Sequence, residues 1–147
     1  QLSLQFEKNL VEKKYKAVVS GVVKKDTDLI DIPIGREEEE RSIKKIVSES
    51  GQEALTKYTV LERYKNATLL DVQIFTGRTH QIRVHLSHIG HPIIGDSLYN
   101  EKSPYINRQA LHSYYMKIKH PRTKEIIEFN APLPEDIKEL IDHLKGN

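Results

Sequence analysis

The sequence contains no cysteine and no tryptophan, and only one methionine among its 147 residues. Without cysteine it can form neither disulfides nor thiolate metal sites, which fits a reducing cytoplasm. It also lacks an apolar run long enough to span a bilayer. Basic and acidic residues nearly cancel, giving a net charge of +2, so composition permits nucleic-acid binding without arguing for it. We therefore expect a cytoplasmic protein that does not contact the membrane.

The chain has the length of one domain and can bury a real core. It begins with Gln1 rather than methionine, and an alternating, strand-like run already starts at Leu2. We interpret it as a fragment of a longer protein, with a processed N-terminus as the alternative. No repeats, low-complexity linker or domain boundary interrupt it.

The most informative stretch extends from Thr76 to Gly90, directly after a strand-like segment. Apolar residues recur there at helical spacing, which predicts a helix from about 78 to 89 with Thr76 as its N-cap and Gly90 at its end. One face of this helix is predicted to be apolar and to pack on a sheet: Ile82, Leu86 and Ile89. A neighbouring face is predicted to be polar: Arg78, Gln81, His85 and His88.

Two arginines in this stretch indicate chemistry. Arg83 borders the apolar face, where a guanidinium needs a carboxylate partner, and both Asp71 and Asp96 are candidates. Arg78 is predicted to lie at the helix N-terminus, where backbone N–H groups favour a phosphate or a carboxylate. We expect both arginines to converge with Tyr15 on a polar pocket.

Period-two alternation elsewhere predicts an α+β fold, with a mixed, mainly antiparallel sheet and packed helices. The predicted strands are residues 11–21, which include Tyr15, and two hairpins, 54–61 with 68–75 and 112–119 with 125–129. Residues 28–34 read as an extended segment that Pro33 restricts to an edge or a loop, and the charge run 36–41 as a solvated loop. A last helix follows Pro134.

Four histidines lie close together in the sequence, at His80, His85, His88 and His91. Their spacing matches no standard zinc pattern, and no carboxylate ligand or catalytic glutamate accompanies them. We therefore predict no metal site. Helix capping, hydrogen bonds between helix and loop, and RNA contacts are the expected roles.

The stretch from Gly77 to His85, reading Gly-Arg-Thr-His-Gln-Ile-Arg-Val-His, closely resembles a signature of the RluA-type RNA pseudouridine synthases. The resemblance continues through residues 90–96 and Leu98-Tyr99, and covers about residues 10 to 135. Upstream, the family's tyrosine strand is matched by Lys13, Tyr15, Ala17, Val19 and Gly21. The departure is Gln52, which stands where the family often has lysine.

The resemblance implies a pseudouridine synthase-like catalytic domain that isomerises uridine in structured RNA without a metal or a cofactor. The family breaks the N-glycosidic bond and rejoins the base through carbon. Tyr15 and Arg83 would be catalytic: Tyr15 would pack on the flipped base as a candidate for proton transfer, and Arg83 would hold the nucleophilic aspartate ionised. The implied RNA contacts are Arg78, His80, Gln81 and His85.

The family's nucleophilic aspartate lies in a His-Arg-Leu-Asp type motif upstream of the tyrosine strand, and no such motif occurs in this sequence. Residues 1–147 are therefore expected to be the C-terminal portion of a single catalytic domain and to be inactive alone. The implied partner is ribosomal or transfer RNA, with ribosomal RNA favoured, and the protein is expected to act as a monomer. An N-terminal S4-like domain, the target RNA and the modified uridine stay open.

Two alternatives keep the same scaffold. One is a non-catalytic RNA-binding module, and the other is an enzyme whose chemistry has moved to another pyrimidine-like substrate.

Overall fold

Antiparallel strands form the central sheet of this computed structural model, which describes residues 11–36, 45–47 and 51–146. In the described part, the six strands of this sheet are β1 (Val11–Ser20), β2 (Thr27–Asp31), β5 (Leu55–Arg63), β6 (Ala67–Ile74), β7 (Leu111–Lys119) and β8 (Ile126–Asn130). Their order is β2-β5-β6-β1-β7-β8. A second sheet pairs β3 (Ile34–Arg36) with β4 (Lys45–Val47). The predicted α+β fold with a mainly antiparallel sheet is confirmed.

Strand β1 is central in the sheet and pairs with β6 and β7. Apolar residues on both of its faces are buried, as is typical of a central strand. Ala17, Val18 and Val19 are fully buried. The pairing of β1 with β7 shifts register between Lys14 and Tyr15, which produces a β-bulge. Bulges change the direction of a neighbouring side chain and are frequent beside active sites.

Both predicted hairpins are present, as β5–β6 and β7–β8. The segment 28–34 divides at Pro33: β2 ends at Asp31 and occupies one edge of the large sheet, and β3 opens the small sheet. This matches the expected effect of a proline that cannot donate to a ladder. The strand-like run at Leu2–Phe6 and most of the charge run 36–41 lie outside the described residues.

Two helices pack on the sheet in the described part of the chain, α1 (Gln81–His88) and α2 (Glu135–Lys145). Ile82 and Leu86 of α1 are buried in the core, as predicted, and Ile89 lies half-buried just after the helix. Helix α2 buries one apolar stripe: Ile137, Leu140 and Ile141. Neither helix is long and apolar enough to cross a membrane.

Helix α1 is shorter than predicted, and the prediction of Thr76 as its N-cap is wrong. The helix begins at Gln81, and the N-cap is His80, whose φ of 56° is left-handed. The Thr76 hydroxyl instead donates to Gln81 Oε1 at 2.7 Å and accepts from the Leu55 N–H at 3.0 Å. Residues 76–80 therefore form a turn that is fastened to β5.

The connection from α1 to β7 runs alongside β1 and extends the core. Ile94 donates its N–H to Val18 at 2.9 Å, and Ala110 donates to Ile94 at 2.8 Å. Ile93 is fully buried. These bonds place the following residues, Gly95 and Asp96, beneath α1.

Candidate active site

A cleft of about 170 Å³ lies where the start of α1 meets the central strands. Its walls come from β1, β6, the turn before α1, the first turn of α1 and the start of β7: Tyr15, Ile74, Arg78, His80, Gln81, Ile82, Arg83 and Leu111. Tyr15, Arg78 and Arg83 thus share one cleft, which is the arrangement that the sequence predicted. His85 does not line it.

Tyr15 enters the cleft from the central strand. It is half-buried and packs against the core, opposite Val72 on β6 and Ser113 on β7. The bulge in the β1–β7 pairing begins at this residue. A central, doubly paired strand is a rigid support for the backbone from which the Tyr15 ring reaches the cleft wall.

Arg83 forms a two-point ion pair with Asp96. Its Nε lies 2.7 Å from Oδ2 and its Nη2 lies 2.8 Å from Oδ1. The Asp96 side chain is fully buried, and the Arg83 side chain is 18% exposed. The hydrogen bond to Asp96 raises the pKa of Arg83, so the guanidinium stays charged.

The structure thereby decides between the two carboxylates that the sequence left open. Asp71 pairs in register with Lys16, on the opposite face of the sheet from Tyr15, and accepts a hydrogen bond from the Tyr114 hydroxyl. That bond contributes, after burial, to raising the pKa of Tyr114. Asp71 is therefore excluded as the partner of Arg83.

Tyr99 contacts two residues of the cleft wall, Arg83 and His80, and the sequence had assigned it no role. Its ring lies 5.4 Å from the Arg83 guanidinium carbon, within the range of a cation–π contact. Its hydroxyl lies 3.3 Å from His80 Nδ1, and the two rings meet edge to face at 86°. Arg83 is thus supported by a carboxylate and by an aromatic ring. The only signal in the sequence was the position of Tyr99 within the family-like segment.

Arg78 lies in the turn before α1 and not in the first turn of the helix, so the predicted helix N-terminal position is wrong. Its Nε donates to the Glu53 carbonyl at 2.6 Å, and its backbone N–H donates to Gln81 Oε1 at 3.0 Å. The side chain is half-buried at the cleft. A guanidinium fixed through Nε still presents its terminal nitrogens to an anion.

The structure buries both Gln81 and His85, which were predicted to contact RNA; Gln81 still borders the cleft, whereas His85 does not. Gln81 is 3% exposed and His85 is 0% exposed. Gln81 Nε2 donates to Thr56 Oγ1 at 2.9 Å, and His85 lies between Thr56 and the Ile32 carbonyl at 2.8 Å from each. Burial lowers the pKa of His85. A helical wheel could not show this, because Thr56 of β5 and Ile32 of the β2–β3 connection cover these two side chains.

The four histidines do not converge. His80 lines the cleft, His85 is buried, His88 is exposed, and His91 Nδ1 lies 2.9 Å from the Ser20 carbonyl. Within the described ranges, no three histidine, aspartate or glutamate side chains are grouped as metal ligands would be.

Comparisons with known proteins agree on one family. The sequence model of RNA pseudouridylate synthase matches residues 1–88. The RNA pseudouridine synthase YlyB of Bacillus subtilis is 46% identical over 144 residues, which are 97% of this chain and 47% of that protein. Ribosomal large subunit pseudouridine synthase D of Haemophilus influenzae is 37% identical over 161 residues, covering 100% of this chain and 49% of that protein.

Solved structures give the same result. Human RNA Pseudouridylate Synthase Domain Containing 1 superposes with a TM-score of 0.76 at 28% identity, covering 98% of this chain and 69% of that chain. The chain spans about half the length of the curated relatives that it matches.

Proposed function

The chain belongs to the RNA pseudouridylate synthase family, and we propose that it serves the isomerisation of specific uridines in structured RNA to pseudouridine. The single observation that carries the proposal is the shared cleft, in which Tyr15 faces the same space as Arg83 with its buried carboxylate. Relatives named ribosomal large subunit pseudouridine synthase D favour ribosomal RNA over transfer RNA as the substrate.

We propose that residues 1–147 form the C-terminal portion of the catalytic domain and that a nucleophilic aspartate is supplied from upstream. The support is the family resemblance together with the absence of a His-Arg-Leu-Asp type motif from these residues. The two carboxylates that the sequence offered are differently placed: Asp96 is fully buried and bound by Arg83, and Asp71 lies on the opposite face of the sheet from Tyr15 and accepts from Tyr114. Neither is therefore placed to attack a nucleotide in the cleft.

The proposed roles follow from the geometry of the cleft. Tyr15 packs on the flipped-out base from a rigid strand and exchanges a proton with it. Arg83 keeps its charge through Asp96 and directs its remaining N–H groups at the entering carboxylate, whose ionised form it stabilises. Arg78 and His80 contact the nucleotide or its phosphate at the cleft wall.

The experiment is to incubate the complete protein with ribosomal RNA and to map pseudouridine by chemical labelling and primer extension. We expect modification at one or a few uridines. Tyr15→Phe keeps the ring and removes the hydroxyl, so we expect RNA binding to persist while turnover falls. The 147 residues alone should bind RNA and form no pseudouridine.

The non-catalytic alternative predicts that the complete protein binds RNA and modifies no uridine. A binding module needs neither the Tyr15 hydroxyl nor the buried ion pair. RNA binding by the complete protein without any modified uridine, on ribosomal and transfer RNA alike, would support it. Conversion of a free pyrimidine substrate in place of RNA would support the second alternative.

The remaining features of the proposal are a cytoplasmic location, action as a monomer, and turnover without added metal or organic cofactor. Sedimentation of the complete protein and turnover in the presence of a chelator test the last two.

A further inference from the structure

Three buried side chains beside the cleft, Thr56, Gln81 and His85, are hydrogen-bonded in an unbroken chain. Their exposed fractions are 0%, 3% and 0%. Gln81 Nε2 lies 2.9 Å from Thr56 Oγ1, and Thr56 Oγ1 lies 2.8 Å from His85 Nδ1. Thr56 belongs to β5, and the other two belong to successive turns of α1. The chain therefore crosses from the sheet to the helix that carries Arg83.

The direction of each hydrogen in this chain follows from its ends. The Ile32 carbonyl can only accept, so His85 Nε2 carries the hydrogen and donates at 2.8 Å. In a neutral imidazole the other nitrogen is then an acceptor, so the Thr56 hydroxyl donates to Nδ1. Thr56 Oγ1 in turn accepts from the Gln81 amide. A hydrogen on Nδ1 would leave the Thr56 hydroxyl hydrogen without its acceptor.

The other end of the chain reaches the cleft. Gln81 Oε1 accepts from the Arg78 backbone N–H at 3.0 Å and from the Thr76 hydroxyl at 2.7 Å. Gln81 Nε2 also donates to the Leu55 carbonyl at 2.9 Å. A flipped amide would place its NH₂ against the Arg78 N–H, which can only donate, and its oxygen against the Leu55 carbonyl, which can only accept. Only one orientation of Gln81 is therefore compatible with all its neighbours.

We propose that Thr56, Gln81 and His85 are positioning residues of the cleft, and that their hydrogen-bond chain fixes the turn that carries Arg78. They do so by holding the Gln81 amide in the one orientation that binds the Arg78 backbone. The consequence for RNA rests on the proposed function, whereas the hydrogen-bond chain itself does not.

The arrangement separates two properties of the enzyme. Arg83 is held by Asp96 and Tyr99, and neither of these residues is part of the hydrogen-bond chain. The turn that carries Arg78 depends on Gln81. Breaking the hydrogen-bond chain should therefore raise the KM for RNA and leave kcat nearly unchanged. The break disturbs the turn that carries Arg78 and does not disturb the ion pair of Arg83 with Asp96.

The test compares two substitutions at one position. Thr56→Val keeps the shape and removes the hydroxyl, and we expect the KM for RNA to rise roughly tenfold, on the scale of one buried polar group left unpaired, with kcat within about twofold. Thr56→Ser restores the hydroxyl and should restore the KM. In combination with Arg78→Ala, Thr56→Val should add little, because both changes act through the same residue.

Thr68→Val is the matched control. Thr68 is also a fully buried threonine, on β6, and it accepts from the Val23 N–H at 3.0 Å and donates to the Gly21 carbonyl at 2.8 Å. It does not line the cleft. Both valine variants should unfold at lower denaturant concentration, but only Thr56→Val should change the KM. A similar KM change in both variants, or none in Thr56→Val, would overturn the positioning role.

Nitrogen-15 NMR of the histidine rings gives a readout that needs neither RNA nor activity. We expect the wild-type His85 to be the neutral Nε2–H tautomer, and Thr56→Ser to preserve it. An Nδ1–H tautomer of wild-type His85 would refute the proposed hydrogen-bond chain. Because this measurement uses the wild-type protein, it gives a result even if Thr56→Val does not fold. A wild-type protein with the expected tautomer that forms no pseudouridine would instead refute the proposed function.

Discussion

Arg83 and Asp96 are joined by two short hydrogen bonds of 2.7 and 2.8 Å, and the aspartate is fully buried beneath the helix that carries the arginine. The pair is close to neutral as a unit. In the proposed mechanism, Arg83 would therefore act on the incoming carboxylate through oriented N–H groups more than as an isolated charge. The buried aspartate makes the guanidinium tolerable in a poorly hydrated place and fixes its plane.

Asp96→Asn should destabilise the protein by roughly 2–3 kcal/mol, because it leaves a largely buried guanidinium without its counter-charge. The figure is below the range for fully buried pairs because Arg83 is 18% exposed. Urea unfolding measures it. Asp26→Asn is the matched control: its ion pair with Arg63 has the same 2.7 Å separation, but Asp26 is 87% exposed. A change of less than about 1 kcal/mol is expected there, and equal losses would contradict the argument.

Arg83→Lys should lower the single-turnover rate of the complete protein and leave RNA affinity nearly unchanged. Lysine keeps the charge but cannot form the two-point contact with Asp96. We expect a loss of about 3 kcal/mol of transition-state stabilisation or more, the scale of one preorganised donor. Arg83→Met should abolish turnover, and it should also unfold more easily because Asp96 is left buried and unpaired. A lysine variant with a near-normal rate would mean that charge alone suffices.

Arg78→Ala should weaken RNA binding and reduce the slope of log affinity against log salt by about one, as expected for one lost phosphate contact. Its Nε is bound to the Glu53 carbonyl, which leaves the terminal nitrogens for the proposed phosphate contact. Arg122→Ala, in the exposed turn between β7 and β8, is the control and should leave the slope unchanged. Filter binding over a salt series measures both. An unchanged slope for Arg78→Ala would assign it a purely structural role.

Much of the cleft could be predicted from the sequence, because alternation places Tyr15 on the core-facing side of β1 and helical spacing places Arg83 beside the apolar face of α1. The position of Asp96 could not be predicted, since it depends on hydrogen bonds between the return loop and β1. The burial of Gln81 and His85 was missed for a similar reason. Their partners, Thr56 and Ile32, are distant in sequence, and a helical wheel treats polar residues as exposed.

The buried His85 predicts a specific dependence of stability on pH. Burial lowers its pKa. The Ile32 hydrogen bond and Asp31 act to raise the pKa, and His88 acts to lower it further. The unfolded chain therefore binds a proton on this residue at higher pH than the folded one. Its stabilising contribution is complete above the unfolded pKa of about 6.5 and declines as pH falls below it, by at most about 1.4 kcal/mol per pH unit.

The measurement is urea unfolding of wild type and His85→Gln from pH 7.5 to pH 5. Glutamine does not titrate, so the variant should be less stable at neutral pH but lose less stability on acidification. The difference between the two curves isolates His85 from the other histidines. Parallel curves would show that His85 takes up its proton equally in both states.

Gly95→Ala should be considerably more destabilising than Gly90→Ala, although both glycines have a left-handed φ, +83° and +89°. An added Cβ at Gly90 would meet no atom within 4 Å, so only the backbone penalty of about 1–2 kcal/mol applies. At Gly95 it would lie 2.1 Å from the Arg108 carbonyl oxygen, which requires the backbone to shift, at a further cost of roughly 1–3 kcal/mol.

Because Gly95 precedes Asp96, that shift should also displace the partner of Arg83. Gly95→Ala should therefore lower the single-turnover rate as well as the denaturation midpoint, and Gly90→Ala only the midpoint. Equal effects of the two substitutions on the rate would show that the ion pair tolerates movement of its loop.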